Sequence, residues 1–217
     1  MKAGILYFPG TNCEQDLKVV LENDYNISVE LLWHRDSFQP ELDIYFVPGG
    51  FSYGDYLRSG AMAAISKCVS SLKEAARKDR MIVGICNGFQ VLTESHLLPG
   101  ALLKNAGLKH ICHWVELAAM NEFKEIQNFS LPISHSDGNY LCSDEILQKL
   151  EDNNQVLFKY INNPNGSRAD IAGICSENRR VIGLMPHPER AIHARIDSAD
   201  TQQGSGRKFF DTLIKMI

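Results

Sequence analysis

The sequence predicts an α/β protein: an open, mostly parallel sheet flanked by helices, with an antiparallel portion added in its second half. Three observations carry this expectation. Short apolar runs recur along the chain, and several are apolar on both faces, as strands covered by helices on each side require. Between the early runs lie segments with helical spacing, and that rhythm builds parallel pairs joined by right-handed crossovers. From Ile111 to Met185 the runs crowd around turn signals such as NNPNGS and SENRR, which favours antiparallel pairing there.

Taken in order, GILYF (4–8) is the first strand, and EQDLKVVLEND follows as a helix that places Leu17, Val20 and Leu21 on one face. ISVELLW (27–33) and DIYFV (43–47) are the next strands. The stretch AMAAISKCVSSLKEAARK (61–78) is rich in helix formers and predicts one helix. MIVGI (81–85) is a strand that runs into the helical spacing of NGFQVLTESHLL. QVLFKYI (155–161), DIAGIC (170–175) and RVIGLM (180–185) supply the later strands. GSGRKFFDTLIKMI closes the chain as a helix whose Phe209, Phe210, Leu213, Ile214 and Ile217 form one apolar stripe. With no linker, repeat or low-complexity stretch to divide it, the chain reads as a single domain over residues 1–217.

Composition excludes several function classes. Hydrophobic residues at 44% and charged residues at 22% are ordinary for a folded globular chain and leave no case for disorder. A formal charge of −4 supplies no basic face for a nucleic-acid backbone, so nucleic acid is not an expected partner. No apolar run approaches a membrane span, and MKAGILYFPG is too short an apolar stretch for a signal peptide. The six cysteines include no CxxC pair, so neither a zinc knuckle nor a redox pair is expected. The expectation is a reduced, cytoplasmic protein without a membrane partner, in which each cysteine is core, ligand or nucleophile; Cys13, Cys68, Cys112, Cys142 and Cys175 are read as core.

One cysteine stands out. In IVGICNGFQV an apolar run ends at Cys86, with Gly84 two residues before it and Gly88 two after, where G-x-S-x-G hydrolases carry their glycines. Such a turn exposes a nucleophile on a firmly held backbone, and the positive end of the following helix favours a thiolate. A free cysteine is also among the most commonly buried residues, so from these ten residues alone nucleophile and core are evenly matched.

A nucleophile needs a base. His34 and His193 sit in polar, loop-like surroundings, and His96 ends a helical pattern. KHICHW brings His110, Cys112 and His113 together, but nothing near them supplies the remaining ligands of a metal site, and none is expected. His187 differs, because Pro186 and Pro188 frame it and the second forces it into an extended conformation. In an extended segment residues two apart point the same way, with Cα atoms roughly 6 to 7 Å apart. His187 and Glu189 can therefore meet, the carboxylate holding one ring nitrogen protonated while the other takes a thiol proton. The alternative is a proline-rich turn with an exposed ion pair to Arg190.

Attack on an amide or ester carbonyl also needs donors aimed at the developing oxyanion. Asn87 N–H lies just past Cys86, and VPGGFSYGD ends an apolar strand with Gly49 and Gly50, whose backbone is free of side-chain crowding. A plain turn is the other reading of that loop.

PGG after a strand, then GICNGFQ, then HPE about a hundred residues later is the motif order of the class I (triad) glutamine amidotransferases, which this chain resembles over nearly its whole length. FPGTNCEQD, PGGFSYGDYLRSGAMA, NPNGS, IAGIC and GLMPHPERA extend the resemblance. It implies a flavodoxin-like core, with Cys86 as nucleophile, His187 as base, Glu189 as its orienter, and the backbone of Gly50 and Asn87 as oxyanion donors. Gln90 and His135, the latter within PISHSDGNY, fall where relatives contact glutamine. No P-loop or dinucleotide-binding glycine pattern is present, so this chain is expected to carry no cofactor of its own. ATP and magnesium are expected on a partner synthetase subunit, which with a small third subunit would receive the ammonia. FSYGDYLRSG, with Phe51, Tyr53 and Tyr56 beside Asp55 and Arg58, suits either an interface core or a loop packed on its own helix.

Overall fold

The runs that are apolar on both faces become the centre of a nine-stranded sheet in a computed structural model, which describes residues 1–127, 129–193 and 204–217. The strands are β1 (Lys2–Tyr7), β2 (Ser28–Trp33), β3 (Ile44–Val47), β4 (Met81–Ile85), β5 (Ala101–Leu103), β6 (Ile111–Ala119), β7 (Phe129–His135), β8 (Asn139–Leu141), β9 (Val156–Tyr160), β10 (Ile171–Cys175) and β11 (Val181–Leu184). The order across the large sheet is β2-β1-β3-β4-β11-β10-β9-β6-β7, and β5 pairs with β8 apart from it. Neighbours from β2 to β11 run parallel, and from β11 to β7 each pair is antiparallel. Every residue of β3, β4 and β11 is buried, as expected for strands with both faces covered.

Register brings three strand ends together. Val47 pairs with Gly84 and Leu184 with Ile85, so β3, β4 and β11 end almost level. The chain then leaves them through Pro48-Gly49-Gly50, through Cys86 and through Met185-Pro186-His187. Although β7 lies at the sheet's far edge, it comes back over these ends. Pro132 of β7 gives its carbonyl to the His187 N–H at 2.9 Å. A proline is tolerated there because β7 is an edge strand.

The helices are α1 (Glu14–Val19, continued by a wider turn over Val20–Asp24), α2 (Ala61–Ala64), α3 (Lys67–Arg77), α4 (Asn87–Glu94), α5 (Asp144–Asp152) and α6 (Ser205–Lys215). α6 buries Phe209, Phe210 and Leu213 completely, with Phe210 6.4 Å from Phe46 of β3 and Phe209 5.3 Å from Phe123 between ring centres. α4 presses still harder on the sheet. A Cβ on Gly88 would stand 1.8 Å from the Val47 carbonyl oxygen, so only glycine lets the helix axis approach this closely.

Four expectations need correction. The helix foreseen over 61–78 is two helices, because Ile65 turns out to solvent and Ser66 bonds back to the Ala63 carbonyl at 2.7 Å. His34 lies in a turn after β2, loop-like as expected, but its surroundings are not polar: the ring is buried against Phe8, Trp33 and Tyr53 and hydrogen-bonds the Tyr53 hydroxyl. Cys112 is exposed, on the outward side of the alternation of β6, and Cys142 is half-buried, so neither is core. Ile217 is exposed because α6 ends at Lys215 and leaves it beyond the buried stripe.

In urea unfolding, Gly88→Ala is expected to lose about 1 to 3 kcal/mol, the usual cost of forcing a methyl group into packed structure. Gly107→Ala, where an added Cβ meets nothing within 4 Å, is the control expected to stay near the wild-type midpoint.

Candidate active site

Cys86 is the hinge between β4 and α4, with φ of 52° and ψ of −106°, a backbone conformation that a non-glycine residue adopts only under constraint. Two hydrogen bonds impose it: Cys86 N–H donates to the Leu184 carbonyl at 2.8 Å, and its own carbonyl accepts from Gln90 N–H at 3.2 Å. The thiol is thereby turned off the strand end toward β7, where the Ser134 carbonyl lies 3.7 Å from Sγ. Asn87 opens α4, so the unpaired N–H groups of that helix's first turn stand beside the sulfur.

His187 follows β11, and Pro188 holds it at φ of −104° and ψ of 88°. Its Nδ1 and Glu189 Oε1 are 2.6 Å apart, with both side chains buried. Burial by itself favours a neutral imidazole, but the Glu189 carboxylate and then the Cys86 sulfur act against it. Together they raise the His187 pKa well above the ordinary histidine value. With Nδ1 engaged by the carboxylate, Nε2 is the nitrogen left to exchange a proton.

The approach of the three loops is tight enough to be described by one point. A Cβ placed on Gly49 would lie 2.7 Å from His187 Cε1, 3.0 Å from Cys13 Sγ and 3.5 Å from Cys86 Cβ. Next to it Gly50 has φ of 146° and forms an isolated antiparallel bridge with Thr11. The bonds of that bridge belong to the Phe51 N–H (to Gly10, 2.9 Å) and the Asn12 N–H (to Gly49, 3.4 Å), which leaves the Gly50 N–H turned out of the pair. Gly50, Phe51, Cys86, Ser134, His187, Cys13, Asn12 and Arg190 line a cavity of about 40 Å³. That is room for about one water, at roughly 30 Å³ each in the liquid, and the exposed Phe51 forms part of its wall.

The structure therefore gathers Cys86, His187, Glu189, Gly50 and Asn87 at one place and sets Gln90 and His135 behind it. Gln90 is buried, its Nε2 donating to the Asp137 carbonyl at 2.5 Å and its Oε1 accepting from Asn87 Nδ2 at 2.8 Å. His135 is buried with Nδ1 3.0 Å from Asn105 Oδ1. Burial first, then the positive charge of His187, His110 and His113, pushes its pKa down to about 3. Sequence reasoning missed two residues here. Cys13 lies against His187 and accepts from Arg190 Nη2 at 3.2 Å, while Arg190 Nε donates to Asp16 at 3.0 Å. Their signal was present in FPGTNCEQD and HPER, but their spatial meeting was not. Among the described residues Cys13, His187 and Glu189 have donor atoms close enough to share a cation, all within 4.8 Å. The Arg190 guanidinium already stands at that thiol, and His187 and Glu189 face each other.

Residues 1–215 match the family model described as the CobB/CobQ-like glutamine amidotransferase domain. Among curated proteins, a "phosphoribosylformylglycinamidine synthase subunit PurQ" of Ruegeria sp. (strain TM1040) is 53% identical over 199 residues, covering 88% of this chain and 89% of that one. Its namesake in Alkaliphilus metalliredigens (strain QYMF) is 44% identical over 224 residues, covering 100% and 97%. Among solved structures, a chain of PurLQS from Thermotoga maritima superposes with a TM-score of 0.86 at 36% identity, covering 99% of this chain and 98% of that one.

Two measurements check the electrostatics. In Glu189→Gln the largest influence opposing burial is gone, so the His187 ring is expected to titrate at lower pH by NMR. For His135, whose folded-state value near 3 lies below the ordinary 6.5, the unfolded chain binds the extra proton between those limits. The stability it contributes is complete above about pH 6.5 and is lost as pH falls toward 3. His135→Gln is expected to flatten that limb of the stability profile.

Proposed function

Since the chain belongs to the family of the CobB/CobQ-like glutamine amidotransferase domain, we propose that the assembled site is its glutaminase centre and that Cys86, His187 and Glu189 are its catalytic residues. The chain is the glutaminase subunit of phosphoribosylformylglycinamidine synthase, in purine biosynthesis. It supplies ammonia to a synthetase subunit that converts formylglycinamide ribonucleotide to formylglycinamidine ribonucleotide. The observation that carries the chemistry is the buried 2.6 Å contact of His187 and Glu189 beside a thiol held on a constrained strand-to-helix turn.

The Cys86 thiolate attacks the carbon of the glutamine side-chain amide, and the carbonyl electrons move onto oxygen. Gly50 and Asn87 N–H groups receive that oxyanion; in comparable sites one such donor contributes about a hundred- to a thousandfold in rate. His187, protonated beside Glu189, gives its Nε2 proton to the departing nitrogen, and ammonia leaves as the C–N bond breaks. Water then attacks the thioester while His187 takes its proton, and glutamate departs with the thiolate restored. In this reading Gln90 and His135, buried behind the triad, support the part of the site that receives the rest of the glutamine molecule.

ATP and magnesium belong to the synthetase subunit in this reading, and a small third subunit completes the complex. Residues 1–217 act as one domain. Among the described residues no helix is long and apolar enough to cross a membrane, and the cytoplasm is the compartment that suits a supplier of ammonia to a nucleotide pathway.

The assembled complex provides the test. A glutamine-derived diazoketone is expected to label Cys86, and Cys86→Ala is expected to abolish glutamine-dependent synthesis while ammonia-dependent synthesis continues. Label on another residue, or glutamine use by the variant at the wild-type rate, overturns the assignment.

A further inference from the structure

The mechanism uses the backbone of Asn87 and leaves its side chain without a task. That side chain is 2% exposed, and both its polar atoms are engaged. Oδ1 accepts from Ser52 N–H at 3.2 Å; Nδ2 donates to Gln90 Oε1 at 2.8 Å and lies 3.5 Å from Asp55 Oδ1. Ser52 and Asp55 are the two ends of a single turn, which begins two residues after Gly50.

This turn does not hold its own shape well. Tyr53 and Asp55, and Leu57 just beyond the turn, have φ of 54°, 55° and 70°, a left-handed conformation that is strained for a non-glycine residue. Such a segment persists when its surroundings over-determine it. Inside the turn, Gly54 N–H reaches the Phe51 carbonyl at 2.8 Å; from outside, Tyr53 N–H reaches the Pro9 carbonyl at 2.7 Å. The Phe51 N–H bond to the Gly10 carbonyl at 2.9 Å, the Tyr53 hydroxyl bond to His34 and an Asp55–Ser59 hydrogen bond hold it from other sides, whereas the tie to α4 runs through Asn87, which Gln90 links onward to the Asp137 carbonyl.

We propose that the Asn87 side chain is a positioning residue that sets the separation of the two oxyanion donors. One donor is the amide of Asn87 itself. The other, Gly50 N–H, sits two residues before the Ser52 N–H that Asn87 holds. A single planar amide thus spans from the helix that carries one donor to the loop that carries the other. Without it the left-handed turn relaxes and Gly50 N–H drifts from its aim, while the Cys86 thiol, held by Leu184 and Gln90 backbone bonds, stays in place. The inference rests on the oxyanion role of Gly50 and Asn87 in the proposed glutaminase reaction.

Two reactions of Cys86 separate positioning from collapse. Hydrolysis of glutamine passes through an oxyanion; alkylation by iodoacetamide is a displacement at carbon that forms none. In the assembled complex Asn87→Ala is expected to lower kcat for glutamine about ten- to a hundredfold, the scale of a misplaced catalytic group, with KM changed by about threefold or less. The iodoacetamide rate at Cys86 should remain within about twofold of wild type, since that reaction needs no oxyanion donor. The proposal is overturned if Asn87→Ala turns over glutamine as wild type does, or if alkylation falls with hydrolysis. Failure of the underlying glutaminase reading would look different: glutamine-dependent synthesis would then survive Cys86→Ala.

Discussion

The level ending of three parallel strands is the constraint on which the site depends. Val47 beside Gly84 and Leu184 beside Ile85 bring the ends of β3, β4 and β11 into one row, and the three loops that leave this row carry Gly50, Cys86 and His187. A slip of one residue in any of them would turn its side chains to the opposite face of the sheet. Buried, both-face apolar strands resist such a slip because every alternative register exposes apolar surface or leaves ladder bonds unmade. The loops then need little length to bring a thiol, an imidazole and a carboxylate together, and the one point near Gly49 that touches His187, Cys13 and Cys86 shows how little room remains.

Within that row, opposing forces act on the imidazole. Burial disfavours a charged ring, and the carboxylate two residues away outweighs it only together with the neighbouring Cys86 and Cys13 sulfurs. The same burial acts on His135 without a carboxylate to oppose it, and there the ring is driven neutral. Two histidines close enough to feel each other's charge are thus sorted into different states by their neighbours: Glu189, Cys86 and Cys13 stand around His187, and no carboxylate stands beside His135. This division gives the site one imidazole able to carry a proton and another that presents only a neutral hydrogen-bonding edge.

What could be read from the sequence was whatever is local in the chain. The prolines around His187, the glycines around Cys86 and the apolar strands before both act over two or three residues, so the turn and the histidine–carboxylate pair were legible. Cys13 was not, because it reaches His187 only through the bridge of Thr11 and Gly50, a contact between segments far apart in the sequence. The return of β7 over the strand ends was equally hidden: its alternating burial and its central Pro132 describe an edge strand but not where that edge goes. The 61–78 stretch misled for a different reason. Strong helix formers at both ends suggest continuity, but the break is local: exposed Ile65 is followed by Ser66, which bonds back to the Ala63 carbonyl and takes the N-cap position of α3. Asn87 fell between these cases, with its amide visible from its place after the nucleophile and its side chain explicable only through Ser52 and Asp55.

The approach of Gly88 to the Val47 carbonyl also bears on inheritance. Glycine is the smallest residue a codon can specify, so every missense change at position 88 adds at least one carbon, and that carbon would lie where the carbonyl oxygen already is. The position has no conservative neighbour among the amino acids. A lineage keeping this helix against this strand has one permitted letter there, and drift at that site must wait until Val47, the elbow and the register beneath them change together.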